Sequence, residues 1–419
     1  MADLPAWASN PDLVRDAIPD PEGRWIRSPL NAIAVPRPEG TAKPVIIRDD
    51  TLRSGGNTPG VYASREKKLR IAEALEAMGV PEAEVGYGSL ADDRAFVAEL
   101  RRRGTRMRLG MHARSWLPNW QQDVDGIAEC GAHLVNFVGM QGYTVQQALH
   151  PDLKGDAFLA RMEECITYAK SKGLLAAFGT DHPRLEIIDE TLQRAIAAGL
   201  DRWVLYDTRG WFLPQTIALL VDHLRRVSQD KIEITMHAHD DFGLATANTL
   251  EAIRAGAVGC DVTINRTGHR CGNAAFEQVV LGVEYFLGRP TGIDLARISA
   301  VSRLVSQLYE VPVAENAPVV GHNMFSYGGL HIPAILRGDW YLWENVRAET
   351  VGSERHIVYG PSALQRGPDS PLDAKSARLG KSPSDAQMDR IIASLRELIA
   401  DKKFATDAEV EQVISRVMG

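Results

Sequence analysis

The chain has 419 residues, 45% apolar and 24% charged, with 47 basic against 54 acidic side chains and a net charge of −7. This composition excludes collagen, coiled coil and disorder as descriptions of the whole. The acidic balance argues against nucleic-acid binding as the main activity, while leaving room for a local basic pocket for a small anion. The four cysteines, Cys130, Cys165, Cys260 and Cys271, fall at irregular spacings without a C-x-x-C pair. That pattern disfavours a disulfide framework or zinc finger and fits a reducing compartment. No apolar run approaches the roughly 20 residues a membrane span needs, and the Met1-Ala2-Asp3-Leu4-Pro5 start has no basic or apolar export signal. A cytoplasmic protein without membrane contact is expected.

Residues 1–44, rich in Pro, Asp and Arg, read as an irregular N-terminal arm. From residue 45 short β-branched or apolar runs alternate with amphipathic segments. Strands are expected at 45–48, 84–87, 107–111, 133–138, 174–178, 202–205, 232–239 and 260–264. The intervening helices include one from about Ser64, with Leu69, Ala72, Leu75 and Met78 on one face and Gly79 as its stop. Others carry Phe158, Met162, Ile166 and Ala169, span 214–227, span 245–255 before Gly256, and begin at about Asn273. Eight strands, each followed by a helix, within about 250 residues imply an α/β fold of the (β/α)8 TIM-barrel type over 45–290. The open doubly wound alternative would call for a glycine-rich phosphate loop, and Arg53-Ser54-Gly55-Gly56-Asn57 lacks the G-x-G-x-x-G spacing. Residues 291–419 lose the alternation and read as a C-terminal, mostly helical accessory region, with two short helical patterns over 384–419.

In such a barrel the chemistry belongs at the C-terminal strand ends. Met236-His237-Ala238-His239-Asp240-Asp241-Phe242-Gly243 closes strand seven, and period-2 alternation sets His237 and His239 on one face as a chelating pair. Arg48-Asp49-Asp50-Thr51-Leu52-Arg53-Ser54 closes strand one and offers a permanently charged guanidinium for a developing oxyanion. Thr208, in Asp207-Thr208-Arg209-Gly210, offers a hydroxyl to a carboxylate. Asp181 follows strand five as a candidate acid or base. Asn265-Arg266-Thr267-Gly268-His269-Arg270-Cys271-Gly272-Asn273 forms a polar loop after strand eight.

The order of these segments (Thr51-Leu52-Arg53, Asp207 to Gly210, His237 to Asn248 and Asn265 to Glu277) resembles the DRE-TIM metallolyase superfamily. Within it the chain is similar to the 2-isopropylmalate, citramalate and homocitrate synthases, because Pro318-Val319-Val320-Gly321-His322-Asn323-Met324-Phe325 matches their segment after the barrel. The resemblance implies a Claisen-type condensation of an acyl-CoA, typically acetyl-CoA, with a 2-oxo acid. It implies a divalent metal (Mg, Mn or Zn) held by His237, His239 and Asn273, and catalytic roles for Arg53, Asp181, His331 and Tyr341. Thr208, Glu84, Arg114, Arg209 and Tyr87 are the expected substrate contacts, and a homodimer is implied.

Several positions depart from the family pattern. Ser54 stands where the family carries its acidic metal ligand after Thr-Leu-Arg, which weakens the expected site unless Asp49, Asp50 or Asp241 supplies oxygen. The His-x-x-Gly-x-His stretch reads Tyr327-Gly328-Gly329-Leu330-His331, and a family tyrosine falls at Trp343, two residues after Tyr341. A carbon–carbon lyase of the same superfamily is the second reading, and a metal-free binding protein the third.

Overall fold

The structure is a computed structural model and describes residues 18–35, 43–139, 152–180, 185–367 and 370–419. Asp181 lies outside the described residues.

Eight parallel strands, β1 (Ile46–Asp49), β2 (Glu82–Tyr87), β3 (Arg108–Ala113), β4 (Leu134–Gly139), β5 (Leu175–Thr180), β6 (Arg202–Asp207), β7 (Glu233–Ala238) and β8 (Gly259–Val262), close into a barrel, with β8 hydrogen-bonded to both β7 and β1. Each expected strand is present. The helices of this ring are α1 (Arg65–Met78), α2 (Ala91–Arg102), α3 (Trp120–Glu129), α4 (Asp156–Ser171), α5 (Leu185–Ala197), α6 (Pro214–Ser228), α7 (Ala245–Arg254) and α8 (Phe276–Tyr285). Helix α1 begins at Ser64, whose side chain caps the Lys67 N–H, and ends at Gly79 with φ 92°, a left-handed position open to glycine.

The strands are buried on both faces. Outward residues pack under the helices, as in the aromatic belt Phe137–Phe178–Trp203, whose ring centroids lie 6.2 to 6.4 Å apart. The barrel interior is apolar around Leu134, Ala177 and Val204 but otherwise strongly polar. Arg202 is fully buried against Glu82 and Glu233, and Arg48 is bound to Asp261. Burial raises the cost of ionising Glu82, yet Arg202 and Arg48 hold it below the usual carboxylate range.

Two details differ from the sequence expectation. Helix α8 starts at Phe276 rather than near Asn273, because residues 273–275 are tied to strand ends by the His239–Asn273 and Thr263–Ala275 bridges. Helix α9 (Ile298–Tyr309), expected in the accessory region, lies within the barrel unit, Val35–Pro312. It buries Ile298, Val301, Val305 and Leu308, and the Tyr309 hydroxyl donates to the Thr51 carbonyl at 2.7 Å.

The second compact unit comprises Met1–Ala34 and Val313–Gly419. Described residues of the N-terminal segment are stitched into it: Ile26 N–H donates to Asn345 O and Arg347 N–H to Arg24 O, both at 2.9 Å, and Trp25 is buried. A three-stranded sheet of Ser326–Tyr327, His356–Tyr359 and Ala405–Thr406 joins the helices Pro371–Arg378, Asp385–Ala400 and Asp407–Met418. Their core is built on Ile332, Tyr359, Leu372, Ile391, Leu395, Val410 and Ile414. Capping boxes at Ser384/Gln387 and Thr406/Glu409 start the last two helices.

Candidate active site

At the C-terminal mouth of the barrel, side chains from seven strands converge. His237 is the inward residue near the end of β7. Its Nδ1 lies 2.9 Å from Asp261 Oδ2 of β8, while Asp261 also accepts two bonds from Arg48 of β1, at 2.6 and 2.5 Å. Burial favours the neutral acid at Asp261, but Arg48 and His237 overcome it and hold the carboxyl far below its ordinary range. A carboxylate on Nδ1 fixes that nitrogen as the donor and leaves the Nε2 lone pair to face the mouth. Nε2 meets the Asn273 amide at 3.2 Å. The His239 ring is 5.3 Å from the His237 ring, and its Nδ1 is buried without a hydrogen-bond partner. Burial, with His237 and Arg270 nearby, depresses His239 to about 2, so it is a neutral imidazole.

Beside this pair sits the turn after β1. Arg53 donates to Asp50 Oδ2 at 2.7 Å, and its Nε lies 3.5 Å from Glu84 Oε1 of β2. Burial works against the Arg53 charge, but Asp50 outweighs it and keeps the guanidinium firmly protonated. The Arg53 Nε and Asn273 Oδ1 atoms are buried without a hydrogen-bond partner. Orphaned polar atoms converging at a barrel mouth are the expected signature of a site that completes itself on a ligand. Glu84 also contacts His112 of β3, Arg48 at 3.2 Å and Asn136 Nδ2 of β4 at 3.2 Å, and the Tyr206 hydroxyl of β6 donates to Asn136 Oδ1 at 3.1 Å. His112 is held well below its usual range by burial and by Arg53 and Arg48.

The structure thus brings Arg53, Glu84, His237, His239, Asn273 and Ser54 together. Tyr87 stands at the edge of the group, its ring 5.9 Å from His112. Thr208 follows β6, and its carbonyl accepts from Arg270. Arg209 is exposed and lies over the Trp211 ring at 5.1 Å. Arg114 is claimed by Asp123, at 2.9 and 3.0 Å, and lines a separate polar cavity of about 340 Å³ with Arg94, Asn119 and Gln122. His331 and Tyr341 belong to the second unit. The His331 ring lies 3.8 Å from the Trp343 ring, and its Nδ1 has no hydrogen-bond partner. Burial and Asp339 raise the Tyr341 hydroxyl above its ordinary range.

Sequence reading missed His112, Tyr206 and the pairing of Asp261 with Arg48. His112 and Tyr206 each stand near a strand end on the inward alternation, so the signal was positional, but neither belongs to a motif.

Among the described residues, Asp50, His237 and Asp261 offer ligand atoms lying within 4.8 Å of one another. With the neutral His239 imidazole, the His237 ring beside it, an amide oxygen lacking a partner and a buried carboxylate, the donor set suits a divalent cation that takes nitrogen and oxygen ligands. Gly268, at φ 146°, matters here: a Cβ at this position would collide with Asn273 Oδ1.

A closed parallel barrel with a polar, carboxylate-steered histidine pair at its mouth defines a metal-site barrel enzyme. Residues 44–305 match the HMGL-like family, and the chain belongs to that family. It is 30% identical to the (R)-citramalate synthase of Methanocaldococcus jannaschii, over 90% of this chain and 75% of that protein. It is also 30% identical to the homocitrate synthase of Methanopyrus kandleri, over 89% of this chain and 92% of that one. Among solved structures, the HMG-CoA lyase from Brucella melitensis superposes with a TM-score of 0.56 at 20% identity, covering 64% of this chain and all of that one. No helix among the described residues is long and apolar enough to cross a membrane.

Proposed function

We propose that this chain condenses an acyl-CoA, typically acetyl-CoA, with a 2-oxo acid in a divalent-metal-dependent Claisen-type reaction. A methyl proton leaves the thioester, the resulting carbon attacks the oxo carbon, and water cleaves the thioester to give CoA and a 2-substituted malate. A bound divalent cation supplies Lewis acidity toward the oxo group of the 2-oxo acid. His237, His239 and Asn273 would hold it, with Asp261 steering His237. Arg53 is placed to steady the negative charge that develops on oxygen, since its guanidinium stays charged in a buried site where such charge counts most. The Thr208 hydroxyl and the Glu84–His112–Asn136–Tyr206 floor orient the oxo acid.

The observation that carries the synthase direction is the reach of the similarity. The relatives named as synthases match about 90% of the chain, so the match runs past the barrel, whereas the lyase structure accounts for 64%. Family membership leaves a carbon–carbon lyase as the second reading. A free-thiol assay with acetyl-CoA, metal and a panel of 2-oxo acids separates the two. Release of CoA dependent on one oxo acid supports the synthase; metal binding with thioester-forming cleavage of a hydroxy acid thioester, and no condensation, supports the lyase. We further propose a cytoplasmic homodimer, which light scattering reads as twice the chain mass.

A further inference from the structure

The serine at the family's acidic ligand position leaves an anionic ligand to be found. Ser54 is buried, and its N–H donates to Asp50 Oδ1 at 3.3 Å, so the Asp50 carboxylate lies beside the position where a Ser54 carboxylate would begin. Asp50 is 1% exposed, and its Oδ2 stands 3.8 Å from His237 Nδ1.

The other acids near the mouth are committed elsewhere, Glu84 to His112, to Arg48 at 3.2 Å and to Asn136 at 3.2 Å. Both Asp49 oxygens are taken by the Thr51 N–H and hydroxyl, at 2.9 and 3.0 Å. Asp261 is gripped by Arg48 and His237. Asp240 caps the Ala245 N–H and pairs with Arg266, each at 2.9 Å. Asp241 is forked by Arg270. Asp50 accepts one bond from Arg53 and a long one from Ser54, and it differs from Asp49 in that its ligand atom lies within 4.8 Å of those of His237 and Asp261. One further polar atom points independently to a ligand beside His237: His239 Nδ1 is unpartnered on a side chain more than nine-tenths buried, while the buried Asn273 amide meets His237 Nε2 at 3.2 Å.

We propose that Asp50 has taken over the anionic ligand role lost at Ser54, so that the divalent cation is held by Asp50, His237, His239 and Asn273. The carboxylate is transposed four residues toward the strand, and the turn after β1 folds it back over the vacated position. This inference rests on the metal-dependent reading of the site. It adds that the site is rebuilt rather than degraded, with affinity set by a residue outside the usual ligand position.

The test measures Mn²⁺ binding to the full chain by the loss of the free-ion electron paramagnetic resonance signal, with circular dichroism confirming the fold of each variant. Asp50→Asn is expected to weaken Mn²⁺ binding by about 100-fold or more, since even supporting partners of metal ligands carry 10–100-fold. The double change Asp50→Thr with Ser54→Asp moves the carboxylate to the family position, and it is expected to recover binding to within about tenfold of the natural chain. That recovery also serves if Asp50→Asn folds poorly. Binding by Asp50→Asn within about threefold of the natural chain, while His237→Asn abolishes it, overturns the role of Asp50 and leaves the metal site standing. Absence of Mn²⁺ binding by the natural chain at millimolar metal overturns both.

Discussion

Glu277 is 3% exposed in the first turn of α8, and its Oε2 accepts the Asn265 N–H at 3.1 Å, pinning the loop that carries Asn273. Burial raises this carboxyl from an ordinary 4.5 to about 7. Between those values the unfolded chain has lost a proton that the folded chain keeps, so the folded state binds more protons and stability falls as pH rises. Each pH unit is worth about 1.4 kcal/mol, and the window spans roughly 2.5 units, so the fold should lose on the order of 3 kcal/mol from this one group by about pH 7. Glu277→Gln keeps an acceptor for Asn265 and removes the titration. Urea unfolding of both proteins at pH 5, 6, 7 and 8 should show the variant gaining on the natural chain by about 1 kcal/mol per unit up to pH 7, then holding level. Asp49, raised to about 8 mainly by burial, adds a slope of the same sign to both proteins, changed in the variant only by the small part of its rise that comes from Glu277. Parallel stability curves for the two proteins would refute the assignment of a buried, protonated Glu277.

Arg53→Gln should lower the CoA-release rate by about 10²–10³-fold, the usual loss on removing a donor to a developing oxyanion, while the protein stays folded by circular dichroism. Gly268→Ala places a methyl against the Asn273 amide at a left-handed φ of 146°; Mn²⁺ affinity should fall by about tenfold or more, read by calorimetry. Ile391→Ala, at a fully buried position of the C-terminal unit, should destabilise that unit by about 2–5 kcal/mol, seen in denaturant unfolding.

The parts of the fold written in local periodicity were legible. The β/α alternation gave all eight strands, and the two-residue period of β7 put His237 and His239 side by side. Arg53 and Asn273 were legible because each sits in a motif. What escaped were partnerships across the barrel. Arg48 and Asp261 are 213 residues apart in sequence, as are Thr51 and Ile264, whose hydroxyl–amide bond secures the last loop. Barrel closure creates these pairs, and no local pattern announces them. The same holds for Glu84, His112, Asn136 and Tyr206, one residue from each of four strands. The N-terminal segment was equally opaque: Arg24 bonds to Arg347 and Thr350, a join that composition cannot show. The start of α8 slipped because strand-like bridges at Asn273 and Ala275 override the helical pattern there.

The most direct test follows a label through the proposed bond. The metal-loaded protein is given acetyl-CoA carrying ¹³C in the methyl group together with 2-oxo acids, and products are read by mass spectrometry and carbon NMR. The account predicts the label in a methylene bonded to the former oxo carbon of a 2-hydroxy diacid, with one CoA thiol released per product. Label recovered only as acetate, or only in unchanged thioester with metal bound, would contradict it.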